Sequence, residues 1–114
     1  MNAKPTVFVV KEQLRRNATG SEPMDLSPAM AYGDIEFITR SDMPLYPNSS
    51  VQSAWTEDVQ KFAAKYDQKA DFIIAIGQPT AIFAVGHALG LLAKTPRFLV
   101  WRREDNQYRV LETI

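Results

Sequence analysis

Asp71-Phe72-Ile73-Ile74-Ala75-Ile76-Gly77-Gln78-Pro79-Thr80, then a nearly uncharged segment, then Phe98-Leu99-Val100-Trp101, is the stretch that decides the fold. The first apolar run is short enough for a buried strand and stops at a glycine. Pro79 suits the first turn of a helix, where its missing N–H would have had no partner. A helix from Pro79 to about Leu92 followed by a second apolar strand makes a βαβ unit, and such crossovers are right-handed.

Working outward, Thr6-Val7-Phe8-Val9-Val10 reads as a first strand and Ile35-Glu36-Phe37-Ile38-Thr39 as a second. Residues 11–22, with Arg15-Arg16 and Thr19-Gly20-Ser21, read as an exposed loop. Ser27-Pro28-Ala29-Met30-Ala31-Tyr32-Gly33 predicts one or two helical turns, with Ser27 as cap and Gly33 just past the end. From Val51 the period changes: Val51, Trp55, Val59, Phe62, Ala63 and Tyr66 fall at helical spacing, with Glu57 and Lys61 as an i,i+4 pair. After the second apolar strand, Glu104-Asp105-Asn106 predicts a turn and Tyr108-Arg109-Val110-Leu111 a returning strand.

The expected fold is therefore α/β: a small doubly wound mixed sheet of about five strands, two main helices and an antiparallel C-terminal hairpin. A chain of 114 residues has room for one such domain, residues 1–114. Expected core residues are Val7, Val9, Ile35, Phe37, Trp55, Phe62, Ile73, Ala75, Phe83, Leu89, Leu99 and Val110. Asp71, at a strand start, is expected to face solvent.

Composition narrows the function. Thirteen Lys/Arg balance thirteen Asp/Glu, so no global field favours nucleic acid or an anionic membrane, and little repulsion opposes self-association. The chain has no cysteine, which excludes disulfides, thiolate zinc sites and a cysteine nucleophile and fits a reducing cytoplasm. Its first apolar run is too short for a signal peptide, and Gly77-Gln78-Pro79 interrupts the only stretch approaching membrane length, so a cytoplasmic chain with no membrane contact is expected.

Asp25-Leu26-Ser27-Pro28-Ala29-Met30-Ala31-Tyr32-Gly33-Asp34-Ile35 ahead of Phe37-Ile38-Thr39 resembles a small uncharacterised α/β family encoded by tailed bacteriophages. Asp71-Phe72-Ile73-Ile74 before the apolar helix and the ending Phe98-Leu99-Val100-Trp101…Tyr108-Arg109-Val110 extend the resemblance over residues 6–114. It implies a phage or prophage origin and a host-cytoplasm setting, and it brings no catalytic residues. The proline-bearing connection at residues 40–50 is longer than the family pattern suggests.

Candidate sites follow from residue types. Gly77, Gln78 and Thr80 form a strand-to-helix turn at the carboxyl end of a central strand, where open α/β sheets bind ligands and a helix N-terminus favours an anion. Neither a dinucleotide fingerprint nor a P-loop accompanies it, and the bland alternative is that Gly77 bends the chain, Pro79 opens the helix and Thr80 caps it. The single His87 excludes a histidine-rich metal centre and is expected to pack beside Phe83 and Leu91. Trp101, Arg102, Arg103 and Arg109 interleave aromatic and cationic groups, as single-stranded nucleic-acid binders do, yet Glu104, Asp105 and Glu112 dilute the field. Met43, Leu45 and Tyr46 on the 40–50 connection, with Gly86 and Gly90 on the second helix, are candidate interface residues. That helix is apolar nearly all round, more than a five-stranded sheet can cover. The expectation is a non-enzymatic accessory protein, a homo-oligomer that binds a host or viral protein, with no cofactor and no metal; the alternative is a nucleotide- or phosphate-binding protein using the Gly77-Gln78-Pro79-Thr80 turn.

Overall fold

The computed structural model describes residues 4–12, 14–44 and 49–112. Strands β1 (Thr6–Val9), β4 (Asp34–Phe37), β5 (Phe72–Ile74), β6 (Arg97–Arg102) and β7 (Gln107–Glu112) form one sheet in the order β4-β1-β5-β6-β7. All neighbours are parallel except β6 and β7, which pair antiparallel along their full length. The sheet winds both ways from β1, with α1 (Ser49–Lys65) and α2 (Pro79–Leu91) as its long helices, as the sequence predicts.

Handedness places the layers. The steps from β4 to β5 and from β5 to β6 run the same way across the sheet, so right-handed crossovers put α1 and α2 on the same face. One core cluster accordingly joins Phe8, Val10 and Ile73 of the sheet to Trp55, Val59, Phe62, Ala63 and Tyr66 of α1, and to Ala81, Val85 and Leu89 of α2. Phe8, Phe62 and Tyr66 form its aromatic centre, with ring centroids 4.9–6.0 Å apart. The step from β1 to β4 runs the other way, so its connection crosses the opposite face. There a 3-10 segment, Ser27–Ala31, buries Ala29, and Tyr32 stacks edge-on against Phe72 while its hydroxyl donates to Tyr108 O at 2.7 Å. The N-cap position is Leu26, which offers no side-chain bond; Ser27 is the first residue of the segment, not its cap, and its N–H donates to Asp25 Oδ1 at 2.9 Å.

Residues 11–22 are not a plain loop. Strands β2 (Leu14–Asn17) and β3 (Gly20–Pro23) pair antiparallel as a separate two-stranded arm, turning at Ala18-Thr19, after which Gly20 opens β3 with φ +138°. Asp71 is buried, because its carboxylate ties the start of β1 to the α1–β5 turn: it accepts from Thr6 N at 3.0 Å and Asp67 N at 2.9 Å. Val110 and Phe37 are about two-fifths exposed, because β7 and β4 are edge strands. Ala75 lies past the end of β5 and is exposed. Phe83 is 81% exposed, because α2 turns only the stripe Ala81, Val85, Leu89 toward the sheet.

The helix ends are closed by tertiary as well as local bonds. Lys94 Nζ donates to Ala63 O and Ala64 O, satisfying the last carbonyls of α1. Helix α2 ends in a Schellman turn, with Ala93 N bonding Gly90 O and Lys94 N bonding Leu89 O, at the cost of a positive φ at Ala93.

Candidate functional site

The Gly77-Gln78-Pro79-Thr80 turn lies at the carboxyl end of β5, next to β1, where the winding reverses. Gly77 has φ +144°, a backbone shape that other residues rarely adopt. Gln78 occupies the N-cap position without a side-chain cap bond; its Oε1 accepts instead from Met43 N at 2.7 Å. Thr80 is an exposed residue of the first helical turn and not the cap. Around this point the carboxyl ends of the strands are tied to each other. Thr39 Oγ1 lies 3.1 Å from Val10 O, and Lys11 pairs with Asp42 at 3.4 Å. The turn is thus part of the framework, with the glutamine amide holding the 40–44 segment in place.

A depression of about 190 Å³ between β4 and α1 is lined by charged groups that satisfy one another. Asp58, with only 11% of its side chain exposed, takes a fork from Arg40 Nε (3.1 Å) and Nη2 (2.7 Å) and also the Arg40 N–H. Lys65 pairs with Glu36 and Lys61 with Glu57. The Arg40 guanidinium holds the Asp58 carboxyl below its usual range. A lowered folded-state value means that this contribution to stability is complete above the unfolded value of about pH 4 and fades as pH falls through the folded one. The melting-temperature gap between wild type and Asp58→Asn is therefore expected at neutral pH and should close in acid. A gap that persists unchanged to pH 2 would contradict the assignment.

Helix α2 presents an unusual outer face. Phe83 is 81% and Leu91 72% exposed, and Gly86, His87 and Gly90 lie exposed between them. A Cβ added at Gly86 or Gly90 would meet nothing within 4 Å. His87 is therefore an exposed member of this stripe, not the packed imidazole expected, because the apolar residues beside it face outward too. Met43 is half-buried against the helix-side core, while Leu45 and Tyr46 lie outside the described residues.

In the hairpin, alternation separates what sequence order interleaves. Trp101 faces Tyr108 across the ladder, their rings 5.1 Å apart, whereas Arg102 pairs with Gln107 and Val100 with Arg109 on the other face. The aromatic and cationic groups do not share one platform. Arg109 is engaged by Asp105 at 2.8 Å and Arg102 approaches Glu104 at 3.9 Å; Arg103 has no ion pair among the described residues.

One feature escaped the sequence reading. Strand β5 has three residues and β6 six, and the two pair only at Ile73 and Phe98. Beyond that point a slot of about 370 Å³ opens between Ile74, Ala75, Ile76 and the flank of Leu99, Val100 and Trp101. The available signal was the unequal length of the two apolar runs, since Gly77 and Pro79 end the first early. Among the described residues no three His, Cys, Asp or Glu side chains gather as a metal would require, and no helix is long and apolar enough to cross a membrane.

No protein of curated function and no solved structure matches the chain. The family described as phage Pam3 gp32-like protein matches residues 5–113, nearly the whole described fold. The chain therefore belongs to the phage Pam3 gp32-like family.

Proposed function

We propose that this phage protein is a non-enzymatic accessory factor that acts by binding, associating with itself through the outer face of α2 and engaging a host or viral protein in the host cytoplasm. The observation that carries the reading is the stripe Phe83, Gly86, Gly90, Leu91: two large apolar side chains in water, flanking two glycines with open space above them. Glycine in a helix interior costs about 1 kcal/mol relative to alanine. Its presence twice, one turn apart, is accounted for if a second backbone approaches there. Large exposed apolar patches mark association surfaces in the same way. Balanced charge and a cysteine-free composition are compatible with this setting.

Gly86→Leu separates folding from association. Nothing in the chain's own fold opposes the new side chain, so the melting temperature in dilute solution should hold or rise, by the helix-propensity gain of up to about 1 kcal/mol. Overpacking should weaken the dimer by about 1–3 kcal/mol, read by sedimentation equilibrium as a higher dissociation constant. A wild-type protein that stays monomeric at millimolar concentration would remove the reading.

A further inference from the structure

We propose that the slot between β5 and β6 receives one extended apolar peptide strand from a protein partner, carrying an acidic residue at the end nearest the hairpin tip. This deepens the binding reading above and rests on it, but uses a different surface from α2. The first support is backbone chemistry. Residues Val100, Trp101 and Arg102 pair on one side with Arg109, Tyr108 and Gln107, while β5 has already ended on the other. In a strand, successive residues turn their N–H and C=O to opposite sides, so part of this stretch directs a donor and an acceptor into the slot. No backbone bond joins Val100, Trp101 or Arg102 to any described segment other than β7. Such an edge is completed by another extended chain, which would continue the line of β5 and add a strand to the sheet.

The walls set the peptide's side chains. Ile74, Ala75 and Ile76 on one side and Leu99, Val100 and Trp101 on the other are all apolar, and Trp101 and Val100 remain 42% and 44% exposed. Charge sets its flank. The hairpin tip, two residues beyond Trp101 of the slot, carries Arg103 with no ion pair among the described residues, while the tip's carboxylates, Glu104 and Asp105, face Arg102 and Arg109; the first turn of α2, just past Ile76, contains no acidic residue to offset its positive dipole end. A basic flank would meet repulsion at both.

The test pans a phage-displayed library of short random peptides on the immobilised full chain and, in parallel, on Ala75→Arg, which places a charge in the slot at an exposed position. Selected peptides are synthesised and titrated by fluorescence anisotropy. The expected result is enrichment on wild type only, with alternating apolar residues and an Asp or Glu toward one end. N-methylation of alternate peptide amides should weaken binding about tenfold in one register and not in the other, as loss of two backbone hydrogen bonds would. Arg103→Glu should weaken it about fivefold. Equal enrichment on Ala75→Arg, no enrichment at all, a basic consensus, or displacement of the peptide by an oligothymidine strand would each overturn the proposal. A wild-type dimer that Ala75→Arg dissociates would also overturn it, by making a second copy the occupant. Peptide binding should survive Gly86→Leu, so failure of the α2 dimer and failure of the slot read out separately, and unchanged melting curves of both slot variants confirm their folding.

Discussion

Asp71→Ala should cost the fold about 2–4 kcal/mol, a large share of the stability of a domain this size. The carboxylate accepts from two backbone N–H groups, Thr6 at the start of β1 and Asp67 in the turn after α1. Hydrogen bonds to a charged acceptor contribute about 1.5–3 kcal/mol each, and removing the side chain takes the partner from both N–H groups. Asp71 itself is 8% exposed and Thr6 half-buried, so the loss is fullest at Thr6 N, while Asp67 lies at the surface, where water can replace the carboxylate in part. Tyr66 shares the junction: its hydroxyl accepts from Arg97 N at 3.0 Å and lies 3.4 Å from Asp71 O. Asp71→Asn should fall between wild type and alanine, because an amide keeps one acceptor and turns a donor toward the other N–H. Urea unfolding followed by circular dichroism measures all three. A loss under 1 kcal/mol in Asp71→Ala would show that the junction does not depend on the carboxylate.

Gly33→Ala should be of similar severity, about 3 kcal/mol or more, for a steric reason. A Cβ built on Gly33 would lie 2.2 Å from Pro5 O and 2.7 Å from Pro5 C. Both atoms are backbone, and Pro5 O accepts from Asp34 N at 3.0 Å where the β1–β4 ladder begins. No side-chain rotation relieves the overlap, so the first rung must separate. The same substitution at Gly86, with nothing within 4 Å, should stabilise by up to about 1 kcal/mol through helix propensity. Opposite signs for one chemical change at two glycines make a compact test by thermal unfolding. Equal effects at the two positions would contradict the geometry at Pro5.

Much of the architecture was legible in the chain itself. The helical spacing of Trp55, Val59, Phe62, Ala63 and Tyr66 matches the face that α1 buries. Pro79 opens α2 at its first turn, and β6 and β7 return antiparallel around the predicted turn. The site was legible only in part. Gly86 and Gly90 were singled out by their propensity cost, and they do lie on an uncovered face. Gln78 belonged to a proposed anion turn, and its amide proves to hold Met43. The arm at β2 and β3 was missed because its residues carry neither an apolar alternation nor a tight-turn dipeptide strong enough to mark a hairpin.

What the sequence alone determined, the β2–β3 arm aside, are the elements and their order: strand, short helix, strand, helix, strand, helix and closing hairpin, since period, proline and glycine act over a few neighbouring residues. Handedness then follows from chain chirality without further information. Only the tertiary structure decided which groups are enclosed. Asp71 is bonded by Thr6, 65 residues away, and Gly33 has no room for a Cβ because Pro5 passes over it. Phe83 is left in water because α2 turns its Ala81, Val85, Leu89 stripe to the sheet, and Val100 and Trp101 are half open because β5 stops short beside β6. Burial is set by partners distant along the chain, and local pattern carries no record of how closely they approach.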